Sequence, residues 1–251
     1  MLTKEYYDIL LDSVPRDTGL RVARIVHGVS WTAAQLNDGR CGVGMHTQGE
    51  SFPRRFETLE GLPLERAAEA LLSWNLEEAS EGMAVVNAWF NRPEHAESLG
   101  GFYTENALAG IPLEGRTVGF VGHLIRHSGI SEALLAPAKR YYILEREPKS
   151  GDYPDSACEY LLPECDLVVI TGSAAINKTL PRLLELSRDA EVVLTGPSVT
   201  LCPALPGPCG IRRLNGQAIT EGEAMLSKIV EERCSVNAFS RHYTLDYAAH
   251  P

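Results

Sequence analysis

From residue 117 onward, short apolar runs recur with room for a helix or a long turn between each pair: TVGFV (117–121), RYYIL (140–144), DLVVI (166–170) and EVVL (191–194). None keeps the strict alternation of a strand with one wet face. Such continuous runs suit strands covered on both faces, the condition of a parallel sheet. After the third run, Leu180, Leu183, Leu184 and Leu186 carry helical spacing. Residues 211–214 are expected to add an edge strand, and 220–234 to close the chain as a helix opened by a Thr-x-x-Glu capping box.

Ahead of residue 110 the periodicities change. Residues 20–30 (LRVARIVHGVS) read as a strand and 40–45 (RCGVGM) as its return, with Asn37-Asp38-Gly39 supplying a turn that tolerates positive φ. Residues 64–74 and 77–89 carry apolar positions at helical spacing, and the first residues form a helix of their own. The expected architecture is α/β: a small α+β domain over residues 1–110, then a Rossmann-like domain with a doubly wound parallel sheet over 111–251.

An open parallel sheet binds ligands beyond the carboxyl ends of its strands, where loops converge and helix N-termini leave N–H donors free. That rule selects Gly122 and His123 after the first run and Glu145 after the second. It also selects Thr171, Gly172 and Ser173 after the third, and Gly196, Pro197 and Ser198 after the fourth. Each has a competing structural explanation. Gly119 and Gly122 make a partial glycine fingerprint, which serves a tight strand-to-helix turn as well as contact with a phosphate or nucleotide. His123 and His127, four apart, would share one face of a helix as metal coordination can require, although two imidazoles do not complete a site. Glu145 suits a ribose diol, a hard metal ion or a solvated pair with Arg140 or Arg146. Asn177, Lys178 and Thr179 open the next helix, where amide donors, the positive dipole end and the lysine favour an anion; Asn177 or Thr179 would serve equally as a cap. Ser198 lacks the G-x-S-x-G setting of a nucleophile.

The net charge of -10 argues against nucleic acid and anionic membrane as partners, because those surfaces select clustered Lys and Arg. Small molecules, cations or other proteins are favoured. No stretch supplies the roughly 18 apolar residues of a membrane span, and the acidic start MLTKEYYDILLDSV is unlike a secretory signal. A cytoplasmic location is expected. The 6 cysteines contain no C-x-x-C pair, so reduced, buried thiols are expected, Cys202 and Cys209 across CPALPGPC included.

The succession GRTVGFVGH, ILEREPKSGDYPDSACEYLLPECDLVVITGSAAINKTLPRLLEL, VVLTGPSVTLCPAL and GIRRLNGQAIT resembles the "putative heavy-metal-chelation" family, a domain of unknown function. The likeness spans residues 5 to 235, and TGSAAINKT and GPS are its most specific elements. What the resemblance implies is an N-terminal domain like that of enolase, a Rossmann-like domain after it, and a site in the cleft between them. GMAVVNAWFN looks like the family's Ala-x-x-Asn-Ala stretch, which would bring Asn87 to that cleft; a helix-terminal cap is the alternative. The family's cleft residues fall here on Asn87, His123, Glu145, Thr171, Asn177, Lys178, Thr179 and the Gly196-Pro197-Ser198 turn.

The reading that results is a protein of heavy-metal chelation or metal-chelate handling, binding a small charged ligand in the interdomain cleft. His123 and Glu145 would ligate a divalent ion, and Lys178 with its neighbours would hold the anionic part. The alternative is an enzyme using a nucleotide-type cofactor, S-adenosylmethionine or NAD, with Glu145 on the ribose. A subunit or chaperone in metal assembly is a third possibility. No catalytic residue is named, and a homo-oligomer is expected.

Overall fold

The structure, a computed structural model, describes residues 2–49, 52–104, 106–125, 129–231 and 235–247. After helix α1 (Leu2–Asp12), strands β1 (Val22–His27), β2 (Trp31–Leu36) and β3 (Cys41–Met45) form an antiparallel sheet in that order. The 37–39 turn is present: Gly39 holds φ 90°, and its N–H donates to the Leu36 carbonyl at 2.9 Å. It joins β2 to β3, because the 20–30 stretch ends early and Gly28-Val29-Ser30 turn the chain into a strand that the apolar pattern did not announce. The reason lies in WTAAQL itself. Ala33 and Ala34 are fully buried on opposite faces, so alternation is lost, and alanine has little strand preference to replace it.

Helices α2 (Leu64–Ala68) and α3 (Leu76–Phe90) follow. Asn75 caps α3, its Oδ1 accepting the Glu78 N–H at 3.0 Å. The helix lies directly on β2 and β3. Gly42 and Gly44 permit this: a Cβ at Gly42 would strike the backbone of Ala84 and Ala88, and one at Gly44 would sit 2.7 Å from the Ser80 carbonyl oxygen.

After helix α4 (Pro93–Ser98) the second sheet is built. Its elements are β4 (Phe102–Tyr103), β5 (Thr117–Val121), α5 (Glu132–Leu135), β6 (Arg140–Glu145), β7 (Tyr153–Pro154), α6 (Cys158–Leu161) and β8 (Leu167–Thr171). There follow α7 (Ser173–Ile176), α8 (Leu180–Leu186), β9 (Glu191–Thr195), α9 (Pro206–Cys209), β10 (Ile211–Ile219), α10 (Gly222–Glu231) and β11 (Ser240–Asp246). The order is β4-β11-β10-β9-β8-β5-β6-β7, parallel from β10 to β7 and antiparallel at β11 and β4. Chain order reverses between β5 and β8, the switch point of a doubly wound sheet. Both faces are covered, as the apolar runs require. Val168, Ile170, Val192 and Leu194 join the core shared with α1 and α8, while Phe120, Val169 and Val193 pack with Leu108, Ile125 and Leu135 on the other side.

Two expectations about the chain's end are corrected. Residues 211–214 begin a 9-residue strand lying inside the sheet, between β9 and β11. Buried Asn215 and Gln217 interrupt its apolar run; Asn215 is tolerated because it accepts from Thr195 Oγ1 and donates to Thr244 Oγ1, both at 2.8 Å. The capping box does not form either. The Thr220 hydroxyl donates to the Phe239 carbonyl at 3.2 Å, and Glu223 accepts from Gln35 Nε2 at 2.5 Å. Helix α10 is not the closing element, since β11 follows it.

Elements cross between the two sheets. Met225, Leu226 and Ile229 of α10 pack on Val26, Ala33 and Val43 of the small sheet, and β4 pairs with β11. Tyr7 of α1 donates from its hydroxyl to the Ala175 carbonyl at 2.6 Å. Cys41, Cys158, Cys165, Cys202 and Cys209 are free and buried. Cys234 and His127 lie outside the described residues. No helix among the described residues is long and apolar enough to cross a membrane.

Candidate functional site

The loops leaving β5, β6, β8 and β9 meet at one rim and open into a cleft of about 1520 Å³. Gly122, His123, Glu145, Thr171, Ser173, Asn177, Lys178, Thr179, Gly196 and Pro197 line it, with Trp31 and Met45 of the small sheet on the opposite wall. Ten of the thirteen residues selected from the sequence therefore share one cavity. The other three, Asn87, Gly172 and Ser198, do not line it.

Those three belong to a buried seam. Asn87 Nδ2 donates to the Val43 carbonyl at 2.8 Å and to the Pro197 carbonyl at 3.4 Å, while its Oδ1 accepts the Thr200 hydroxyl at 2.6 Å. One turn on, Asn91 donates to the Val199 carbonyl at 2.7 Å and accepts the Leu201 N–H at 2.9 Å. The Ser198 hydroxyl oxygen accepts the Met45 N–H at 2.8 Å. Gly172 leaves room for this strap, since a Cβ there would lie 2.5 Å from the Val199 nitrogen. Asn87 is thus neither a cleft ligand nor a terminal cap. It and Asn91, the residue that ends α3 one turn later, together clamp the segment after β9.

At the rim, Gly122 adopts φ 101°, which only glycine takes without strain, and donates its N–H to the Leu144 carbonyl at 2.9 Å. The turn delivers the His123 N–H to Glu145 Oε2 at 2.8 Å, and Glu145 Oε1 accepts the Arg146 N–H at 2.8 Å. Each carboxylate oxygen thereby accepts one backbone N–H, which fixes the side chain at the rim and leaves one acceptor position on each oxygen. His123 Nδ1 lies 3.2 Å from Oδ2 of Asp152, a carboxylate only 3% exposed that also accepts the Lys149 N–H. An imidazole donating from Nδ1 carries its lone pair on Nε2. Asp152 escaped the sequence reading because it sits in the loop beyond the strand tip, where spacing says nothing about which way a side chain returns.

Across the cleft, Thr171 and Ser173 share a hydroxyl hydrogen bond of 3.1 Å. The helix expected to open at Asn177–Thr179 starts later, and a short helix not expected precedes it. Ser173 starts the single-turn α7, and α8 begins only at Leu180, with Pro181 in its first turn. Asn177 and Thr179 fold the link: Asn177 Oδ1 accepts the Thr179 N–H at 3.1 Å and its hydroxyl at 2.7 Å. Between them Lys178 holds φ 70°, a left-handed conformation that aims its chain inward. Its ammonium donates to the Leu71 carbonyl and lies 5.5 Å from the Tyr7 ring centre. Burial lowers its pKa to about 8. The lysine is a half-buried cation at the cleft wall, not a residue on an exposed helix N-terminus.

A second polar cluster lies on the small sheet. His27, Thr32 and His46 share the face covered by the start of α3, where Glu77 and Glu81 project. One ring nitrogen of each histidine and one Glu77 oxygen all lie within 4.8 Å of one another. None of the three lines the cleft, although the cross-strand pair Trp31 and Met45 beside them does. Hydrogen bonding to Glu81 raises the His27 pKa against the opposing effect of burial, with the charges of Glu81 and Glu77 adding to the rise. Glu81 is pushed up by burial, but His27 and a bidentate pair with Arg54 outweigh this and lower its pKa overall. The cluster could not be found without β2, whose pairing is what brings the two histidines to one face.

Comparison with known proteins gives concordant matches. The family model DUF364, described as "Putative heavy-metal chelation", matches residues 111–249, and DUF4213, with the same description, matches residues 7–90. An uncharacterized protein of Methanocaldococcus jannaschii is 26% identical over 182 residues, 69% of this chain and 68% of that one. A crystal structure of a DUF364-family protein of unknown function from Desulfitobacterium hafniense DCB-2 superposes with TM-score 0.82 and 34% identity, covering 97% of this chain and 98% of that chain. Another from Pyrococcus horikoshii gives TM-score 0.76 at 20% identity over 98% and 100% of the two chains, a likeness of fold.

Proposed function

Because this chain belongs to the DUF364 family, we propose that it handles a metal chelate, binding the small charged complex in the cleft between its two sheets. Residues 1–110 supply one wall of that cleft and 111–251 the other. One observation carries the reading: a single large cavity holds both an imidazole with a carboxylate behind it, His123 with Asp152, and a half-buried ammonium, Lys178.

The two groups divide the work. His123 Nε2 offers one borderline donor to a metal whose other positions the chelator fills. Asp152 fixes the ring, and Glu145 holds the His123 backbone through its amide rather than joining as a ligand. Lys178 attracts a carboxylate or phosphate of the chelator, and its partly desolvated position strengthens that attraction relative to bulk water. Thr171, Ser173 and Thr179 supply hydroxyls, and Gly196 and Pro197 a close backbone wall.

The test is a thermal-shift titration with nickel citrate, citrate alone and nickel chloride. The citrate complex should raise the melting temperature saturably, and His123→Ala and Lys178→Met should each abolish most of that rise. Absence of any rise with the complex, or a rise undiminished in both variants, defeats the proposal.

A further inference from the structure

We propose that His27, His46 and Glu77 form a second site, outside the cleft, for one divalent first-row transition-metal ion. The donors are two imidazoles and a carboxylate, a set that suits zinc, nickel or cobalt and leaves coordination positions open to water. It stands apart from the cleft reading and holds whether or not a chelate binds there.

Three observations converge on it. First, the donor atoms are gathered within 4.8 Å, with Glu77 Oε1 at 4.0 Å from His27 Nδ1. Rotamer adjustments of up to about 1.5 Å bring such a set to the roughly 3.3 Å donor spacing of a tetrahedral ion with bonds near 2 Å. Second, the outer support is already in place. His27 Nε2 lies 3.1 Å from Oε1 of Glu81, a carboxylate 4% exposed and itself gripped by Arg54. An imidazole that donates from Nε2 to a carboxylate has its lone pair on Nδ1, and Nδ1 is the nitrogen that faces Glu77. Metal-binding histidines are characteristically oriented in this way. Third, the fully buried Thr32 places its Oγ1 3.3 Å from His27 Nδ1 and 3.1 Å from His46 Nδ1. The two Nδ1 atoms thus converge on one point, with the rings at a T-shaped angle of 74° and centroids 5.8 Å apart, and an ion taken up by His27 Nδ1 replaces the Thr32 hydroxyl at that nitrogen. The charged groups facing the site are Glu77, Glu81 and Arg54, whose sum is negative and favours a cation. His27 is exposed, so an ion can enter from solvent.

Chelator-treated full-length protein should take up about one cobalt(II) ion per chain from cobalt chloride, read by visible absorption and by metal analysis after gel filtration. His46→Ala and Glu77→Gln should each weaken binding at least about tenfold, and Glu81→Gln by about 10- to 100-fold through loss of ring orientation. His123→Ala and Lys178→Met should leave it unchanged, which separates this site from the cleft. Without any substitution, cobalt(II) should broaden the imidazole resonances of His27 and His46 before that of His123. Failure to bind cobalt, earlier broadening of His123, or undiminished affinity in the folded His27→Ala/His46→Ala double variant would overturn the assignment.

Discussion

The seam and the cleft rim are made from the same residue types, within a few positions of one another, and do opposite things. Ser198 is buried and accepts a backbone amide, whereas Pro197 beside it lines open space. Asn87 spends both its amide and its carbonyl on partners across the molecule; Asn177 spends its carbonyl on its own turn and stays at the cavity wall. What separates the two regions is whether a polar group's partners are protein on all sides. In the seam, each buried polar atom lost leaves another unpaired, a cost of about 1–3 kcal/mol per group. At the rim, water replaces what is removed.

The largest effect should come where backbone meets backbone beneath the seam. Gly42→Ala would drive a methyl into the Ala84 and Ala88 backbone of α3, and no rotamer can relieve the clash. A loss upwards of about 3 kcal/mol is expected from urea unfolding; a loss below about 1 kcal/mol would mean α3 rides more loosely on β3 than described. Asn87→Ala comes next, at about 2–3 kcal/mol, because the Val43 carbonyl is left buried without its amide donor and the Thr200 hydroxyl keeps only the weak sulfur acceptor of Met83 at 3.6 Å. Pairing it with Thr200→Val should recover part of that loss, and a strictly additive double-mutant cycle would refute the hydrogen bond between them. Ser198→Ala, which leaves only the Met45 N–H without its partner, should cost about 1 kcal/mol. Thr171→Ala at the rim should stay within about 0.5 kcal/mol by the same measurement.

Much of the architecture was legible in the sequence, and the exceptions share a cause. These four parallel strands were readable because burial on both faces writes itself as an apolar run, so 117–121 coincides with β5, 140–144 and 191–194 each stop one residue short of β6 and β9, and 166–170 is offset by one residue from β8. β2 and the second half of β10 were not, since their buried positions hold alanines in one case and a paired Asn215 and Gln217 in the other. Neither looks apolar enough to announce a strand. The candidate site was legible as a place but not as a set of roles. Strand tips locate the rim; they do not say that Glu145 turns to amides, that Asp152 returns behind His123, or that Ser198 is sealed. His27, His46 and Glu77 were invisible for a further reason: their proximity is created by hairpin pairing and helix placement, which no local spacing encodes.

Lys178 sits on the boundary of the comparison, and its titration shows which region claims it. Burial takes its pKa from the ordinary 10.5 down to about 8, so the folded chain disfavours the charged amine. Between these values the unfolded chain binds more protons than the folded one, and stability contributed by this group therefore rises with pH across that window. Below about pH 8 both states are protonated and the penalty is constant. A Lys178→Met chain carries no such penalty, so its stability advantage over the parent should shrink as pH climbs from about 8 to about 10.5. The full shift would correspond to roughly 3 kcal/mol, but the ammonium lines an open cleft and solvent screens it, so a change of about 1 kcal/mol is the expected size. Urea midpoints of the two chains across this range give the answer. A difference that does not move with pH would mean that cleft water reaches the ammonium fully and that the lysine belongs to the rim alone; a shrinking difference ties it to the buried interior through Leu71 and Tyr7, as the seam residues are tied to theirs, while leaving its charge available to an anion in the cleft.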